Sequence, residues 1–194
     1  IELGATAYNC GLVYACERGH LDIVKMMLSL GANNYHSGLE AACRGGHLEI
    51  VKLMLDLGAN NYNVALECAC KGGHIEIVKM MLSLGANYYN WGLWGACRGG
   101  HLKIIKMMIE LGANSYNWGL DYACRGGHNE IVKMMIELGA NIYDSLKYGD
   151  LELQILYIRL SGKNITLPIK TDHPEYHLLK VYRNKIPDID RIIN

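Results

Sequence analysis

Three things are missing from this chain of 194 residues. Charge of one sign is not in excess: 19 basic residues meet 19 acidic ones, so there is no general pull toward nucleic acid or an anionic membrane surface. No apolar run approaches the ~20 residues that a membrane helix needs, and the first residues show neither the basic start nor the apolar core of a secretion signal. A disulfide framework is missing too. The seven cysteines are an odd number, and five of them, Cys16, Cys43, Cys70, Cys97 and Cys124, fall at a fixed step; a secreted scaffold spaces its pairs differently. Reduced thiols in a cytoplasmic or nuclear setting are the expectation.

What the chain has in abundance is repetition. Gly4, Gly31, Gly58, Gly85, Gly112 and Gly139, each followed by Ala, stand 27 residues apart, and His20, His47, His74, His101 and His128 keep the same step. A strict period in this range means stacked helical units. In the unit 85–111, Gly85 fits the left-handed position that ends a helix. Asn87-Tyr88-Tyr89 makes a tight turn, and Asn90 is placed to N-cap the next helix. The same slot holds Asn9, His36, Asn63, Asn117 and Asp144. A first helix, A, is predicted over 91–98, with Leu93, Ala96 and Cys97 on one face. Gly99-Gly100 breaks it. Arg18 takes the first of those two slots in the opening unit, so only the second glycine reads as obligatory.

Helix B, for example over 48–57, keeps its polar residues Glu49, Lys52 and Asp56 in one thin stripe. A helix apolar over most of its circumference must be covered on several sides. Stacked copies supply that cover, and each unit then depends on its neighbours. The opening residues Ile1-Glu2-Leu3-Gly4-Ala5 repeat Ile109-Glu110-Leu111-Gly112-Ala113, the last turn of a helix B and its glycine cap. The expectation is a chain that starts inside a repeat, as the C-terminal part of a longer array. Leu12, Val13, Ile23, Val24 and Met27 would then keep apolar surface for an upstream unit, or for self-association of an otherwise monomeric protein.

After Tyr143 the pattern decays. Gly149-Asp150-Leu151-Glu152-Leu153 matches the start of helix B, but helix A of this sixth unit has almost vanished. Glu152, Gln154, Arg159 and Ser161 make its helix B more polar than the preceding ones, as a terminal cap should be. The stretch 162–170 reads as a connection. The stretch 171–194 holds one short helix, with Pro174 at its first position and Leu178, Leu179, Val181 and Tyr182 as anchors. Two regions follow: five repeats over 1–143, then a degenerate capping repeat with a helical tail over 144–194.

The run AxRGGHLEIVKxMLxLGAN at 42–60 resembles the ankyrin repeat, with its small-residue pair, Gly-His break and LxIVxxLLxxGA helix. The likeness covers residues 1–143, five times over. Ankyrin repeats run 33 residues, whereas these run 27; an Asn-x-Tyr-Asn turn replaces the hairpin and its TPLH-like turn. This short form is similar to the ankyrin arrays of giant DNA viruses of amoebae, which would put it in host cytoplasm or nucleus. The resemblance implies an all-α, ankyrin-type helix-turn-helix solenoid with a C-terminal helical cap. It implies a protein-binding scaffold, not an enzyme, that takes its partner on the concave face of the A helices.

The reactive residues offer no competing chemistry. Successive helices pack ~8–10 Å apart, while zinc ligands lie ~2.0–2.3 Å from the ion, so ladders of Cys and His cannot converge on one metal. Buried Cys as a small hydrophobe and His as a hydrogen-bonding residue at the entrance to helix B are expected. In the tail, His173 and His177 flank Glu175, but the string is HxExH, not HExxH, and no third ligand accompanies it. Ser161-Gly162-Lys163 lacks the leading glycine of a phosphate loop. Asn164-Ile165-Thr166 is a glycosylation sequon only if secreted. No cofactor is implied, and nearly every reactive side chain recurs five times where an active site needs a unique convergence.

What varies is one face of helix A. Its four slots hold Cys10, Val13, Tyr14 and Glu17; then Ser37, Glu40, Ala41 and Arg44; then Val64, Glu67, Cys68 and Lys71. The fourth unit has Trp91, Trp94, Gly95 and Arg98, and the fifth has Trp118, Asp121, Tyr122 and Arg125. Trp, Tyr and Arg are the residues enriched at interface hot spots. Trp91, Trp94, Arg98, Trp118, Asp121, Tyr122 and Arg125 are therefore the candidate contacts for a protein partner. The alternative is that Trp91 and Trp118 pack on the neighbouring turn. The Tyr that never changes, from Tyr8 to Tyr143, reads as a structural ladder. Two rival functions stay open. One is a rigid spacer. The other is nucleic-acid binding through Arg44, Lys71, Arg98 and Arg125 beside aromatics, against which Glu40, Glu67 and Asp121 weigh.

Overall fold

The structure, a computed structural model, describes residues 2–140, with side chains from residue 6 onward. Among the described residues there are ten α helices and no strand. They pair as α1 (Glu2–Arg18) with α2 (Leu21–Ser29), α3 (Tyr35–Gly45) with α4 (Leu48–Asp56), and α5 (Tyr62–Gly72) with α6 (Ile75–Ser83). Then come α7 (Tyr89–Gly99) with α8 (Leu102–Glu110) and α9 (Tyr116–Arg125) with α10 (Asn129–Glu137). The odd-numbered helices stack in sequence order, and each even-numbered helix packs on the one before it. This is an all-α repeat solenoid of five units. The cap and helical tail expected over 144–194, with His173, Glu175 and His177, lie outside the described residues.

The apolar stripes of the two helices make one continuous core. Leu39, Leu66, Leu93 and Leu120 come from the A helices, and Ile50, Ile77, Ile104 and Ile131 from the B helices. Each such side chain contributes roughly 1.5–3 kcal/mol when fully buried. Cys16, Cys43, Cys70, Cys97 and Cys124 are buried among them. Tyr8, Tyr35, Tyr62, Tyr89 and Tyr116 pack half-buried against the same core.

Several expectations change. Helix A begins two residues earlier than its pattern suggests, at Tyr89 in the fourth unit, and the position before it holds Asn34, Asn61, Tyr88 or Ser115. Only Asn34 caps with its side chain, accepting from the Ser37 amide at 3.3 Å. The Asn90 slot does something else: it clips the next unit. Asn90 Oδ1 accepts from the backbone N–H groups of Asn114 and Ser115 at 2.9 and 3.0 Å. Asn63 does the same for Asn87 and Tyr88, and Asn9 for Asn33 and Asn34. The reason is geometric, since the slot lies inside the first turn, facing the neighbouring loop rather than its own helix end. Where His36 stands in this slot, Nε2 pairs with Asn60 Oδ1 at 3.0 Å and clips no backbone.

The Gly-Gly break needs both glycines wherever units stack. The second, for example Gly73 with φ 82°, holds the left-handed conformation that ends the helix. The first is fixed by its neighbour: a Cβ on Gly45 would lie 2.2 Å from Glu17 O, and one on Gly99 2.2 Å from Lys71 O. Arg18 escapes this because no described helix stacks on that side of α1. Gly4 lies inside α1 rather than capping a preceding helix; a helix of seventeen residues tolerates the ~1 kcal/mol cost of an internal glycine. Of the apolar edge expected on the first unit, Leu12 and Val24 are fully buried by α1 and α2 packing on their own neighbours, and Val13 and Met27 are half-buried. Ile23 stays 42% exposed, where Ile50, at the same position one unit on, is 2% exposed.

Candidate functional site

The variable slots lie along the stacked odd helices, and the structure divides them. In units two to four the third slot is not surface: Ala41, Cys68 and Gly95 are buried where successive A helices touch, whereas Tyr14, in the same slot of α1 with no described helix before it, is 70% exposed. A Cβ on Gly95 would come within 2.5 Å of Glu67 O. An amphipathic stripe read from one helix makes this slot look open; the close approach of the preceding helix closes it. The first, second and fourth slots form the face that solvent reaches, and the units differ in what they put there.

In α9 the third slot is Tyr122, and its ring fits by stacking on Trp94 of α7, with centroids 6.1 Å apart and planes 18° from parallel. Trp118 closes the group, 5.8 Å from Trp94 and 6.5 Å from Tyr122. Offset and tilted ring pairs at such distances add about 0.5–1.5 kcal/mol beyond the area they bury. The Arg125 guanidinium lies 6.0 Å from the Tyr122 ring centre, within cation–π range. Its Nε donates to Asp121 Oδ2 at 3.0 Å. Trp118, Trp94, Tyr122, Asp121 and Arg125 are thus one cluster across α7 and α9. Trp118 remains 56% exposed at its rim.

Trp91 is not part of that cluster. Its ring meets Tyr88 edge-on, with centroids 5.1 Å apart and planes at 77°. Both rings are exposed. The sequence pattern does not single out Tyr88, although a signal exists: the same slot holds Ala7, Asn34, Asn61, Ser115 and Ile142, so an aromatic there is out of pattern. Arg98 is exposed one turn beyond Trp94 on α7, and no partner for its guanidinium occurs among the described residues. The Trp94 indole N–H is buried without an acceptor.

Units two and three close the same face with polar contacts. Arg44 reaches Glu17 at 3.5 Å and donates from Nη2 to Cys68 Sγ at 3.5 Å. Asn61 Nδ2 donates to Glu40 Oε1 at 2.5 Å. These pairs bridge neighbouring units and leave no exposed ring.

The histidines are positioned as hydrogen-bonding residues between units. His47 Nε2–H donates to Glu17 O at 3.0 Å, and His74, His101 and His128 do so to Arg44, Lys71 and Arg98 carbonyls at 3.0 to 3.1 Å. A carbonyl can only accept, so each ring carries its proton on Nε2. Burial pushes the core thiols up: Cys16 and Cys124 to about 11, Cys97 to about 12, and Cys43 and Cys70 further still. That suits inert core residues. Among the described residues, no three His, Cys, Asp or Glu side chains gather as metal ligands, and no helix is long and apolar enough to cross a membrane.

A family model for ankyrin repeats, in three copies, matches residues 12–90, and a model for a single ankyrin repeat matches residues 115–144. No curated protein matches the chain.

Proposed function

Because this chain belongs to the ankyrin-repeat family, whose stacked units generally mediate protein–protein interaction, we propose that it is a non-enzymatic binding module whose partner docks on repeats four and five. The observation that carries the reading is that two adjoining A helices, α7 and α9, carry all three tryptophans, as the Trp94–Trp118–Tyr122 cluster and a separate pair of Trp91 with Tyr88 at the start of α7. An exposed aromatic patch of this kind marks an interaction surface. The stack has no need of these rings, since Ser37 and Val64 serve in the slots that Trp91 and Trp118 fill. The buried thiol ladder supports a reducing, intracellular setting. Nucleic-acid binding is the weaker reading, since Arg44 and Arg125 are each engaged by a carboxylate of the same surface.

The test is affinity capture from cell lysate by the wild-type chain beside Trp91→Ala and Trp118→Ala variants, with retained proteins quantified. Truncating a central anchor costs about 2 kcal/mol, roughly thirtyfold in affinity. Proteins held by the wild type should be depleted by that order on the Trp118 variant. Equal retention by both would place the binding face elsewhere. Capture that collapses with modest salt and requires nucleic acid would favour the basic row instead.

A further inference from the structure

Resting on that docking surface, we propose that the segment it receives presents a carboxylate next to an apolar or aromatic side chain, with the carboxylate on Arg98. The fourth slot of the A helices is a row of cations from the second unit on: Arg44, Lys71, Arg98 and Arg125. Three of them have an acidic residue four positions earlier on their own helix, namely Glu40, Glu67 and Asp121. That is the spacing at which side chains on a helix can meet, and of the three pairs Asp121–Arg125 is the one that closes within 4.0 Å. Arg44 is engaged by Glu17 of the preceding unit. At Arg98 the residue four positions earlier is Trp94. The guanidinium is exposed, has no counter-charge among the described residues, and stands in the row between Lys71 and Arg125. A planar fork of donors in that position matches a carboxylate in bidentate geometry.

A second, independent donor lies on the same helix face. The Trp94 indole N–H, one turn from Arg98, is buried against no acceptor, and an unmet buried donor is costly. The ring that closes over this cluster, Trp118, is the most exposed of the three tryptophans, so it is the member able to turn aside as a ligand enters. On the A helices of repeats four and five the slots therefore offer donors and rings, with Asp121 as the one carboxylate among them. That carboxylate is held by Arg125 at 3.0 Å. A ligand that complements these slots brings an acceptor charge and an apolar side chain together. A basic segment would set cation against the Lys71–Arg98–Arg125 row and leave Trp94 unmet.

The experiment is selection from a displayed library of random twelve-residue peptides on the full chain at near-physiological salt. The enriched peptides are then measured against Arg98→Glu, Arg98→Lys and Trp118→Ala variants. Expected are peptides with Asp or Glu within two residues of Trp, Phe, Leu or Ile. Their affinity should fall about tenfold or more on Arg98→Glu, as for other charge pairs at interfaces. It should be largely kept on Arg98→Lys, and partly regained when the peptide's acid is changed to Lys against Arg98→Glu. Enriched peptides that are neutral or basic, or that bind Arg98→Glu as well as wild type, overturn the inference. If those peptides still lose affinity on Trp118→Ala, the aromatic docking site stands without the carboxylate contact. Peptides indifferent to both positions, or no enrichment over bare support, overturn the docking site with it.

Discussion

Repeats two and three share their backbone with repeats four and five, yet the two pairs finish the same face in opposite ways. In the first pair the slots hold short or charged side chains, tied to the adjoining unit: Arg44 between Glu17 and Cys68, Asn61 on Glu40, His36 on Asn60. A ligand arriving at Arg44, Glu40 or His36 would have to displace an existing partner before gaining its own. In the second pair, rings lie on rings, with Trp118 half open and Arg98 unengaged. Beneath both runs one scaffold of Leu, Cys, Gly-Gly and His at the 27-residue step. Stability and recognition therefore sit on different residues of the same helix, so one can be changed without the other.

The separation can be broken most severely at the scaffold. Gly72→Ala and Gly99→Ala each push a Cβ into a backbone carbonyl, 2.3 Å from Arg44 O and 2.2 Å from Lys71 O, which no side-chain shift relieves. About 3 kcal/mol of stability should be lost at either site, or roughly 6–12 °C in melting temperature. The loss should be equal in the polar and aromatic halves. Arg18→Ala, in the same slot without a described neighbour, should change the melting temperature by no more than about 2 °C. A mild effect at Gly72 or Gly99 would mean the units stack less closely than described.

Next comes recognition. Trp118→Ala should weaken partner binding by roughly thirtyfold, while Ser37→Ala and Val64→Ala stay within about twofold, since neither offers area to bury. Thermal melts of the same proteins sharpen the contrast. Trp118→Ala should melt within a few degrees of wild type, because that ring is more exposed than buried. Unfolding of the variant, with unchanged affinity per folded molecule, would make the tryptophan a packing residue.

A smaller difference separates the junctions. Asn63→Ala removes an acceptor shared by two backbone N–H groups at 2.8 and 3.0 Å and should cost about 1–2 kcal/mol. His36→Ala removes one exposed side-chain bond and should cost about 0.5 kcal/mol. Denaturant titration of both variants orders them, and equal losses would show that the clip on the backbone adds nothing.

The slightest perturbation is chemical labelling of the folded chain near pH 8. Cys10 is exposed, and every other cysteine is buried. Burial raises the Cys68 thiol, with the Arg44 guanidinium opposing it. Burial alone raises Cys97, to about 12. Iodoacetamide should therefore modify Cys10 first, Cys68 of the polar half next, and Cys97 of the aromatic half only on unfolding. Peptide mapping over time reads the order, and early labelling of Cys97 would show that the fourth unit opens locally.

Much of this was legible in the residues because the period is printed five times over, and each copy tests the others. The helix pairing and the buried Leu and Cys positions follow from it, and so does the nearness of Trp94, Trp118, Asp121, Tyr122 and Arg125, whereas Trp91, which the pattern assigns to the same patch, stands apart with Tyr88. What escaped depends on residues about one repeat away. The need for Gly45 arises from Glu17 O, which no reading of a single unit brings near; Arg18, at the unstacked side of α1, pointed the wrong way. The Asn90 slot reads as a helix cap because Asn suits both tasks, but its partners are the Asn114 and Ser115 amides of the next unit. The third slot looks open from a single helix for the same reason, and Tyr88 stands outside the repeat pattern, its ring meeting Trp91.

The imidazole-to-carbonyl bonds have a mechanical corollary. His47, His74, His101 and His128 each fasten one unit to the unit before it, always to the same kind of atom and within 0.1 Å of the same length. Under tension applied to its two ends, such a stack is a row of matched fasteners in series. Units peel away singly, and each lets out 27 residues of chain, about 95 Å of contour at ~3.5 Å per residue. Force traces of the array would be a sawtooth of near-equal steps, and the protein a spring that lengthens by counted increments.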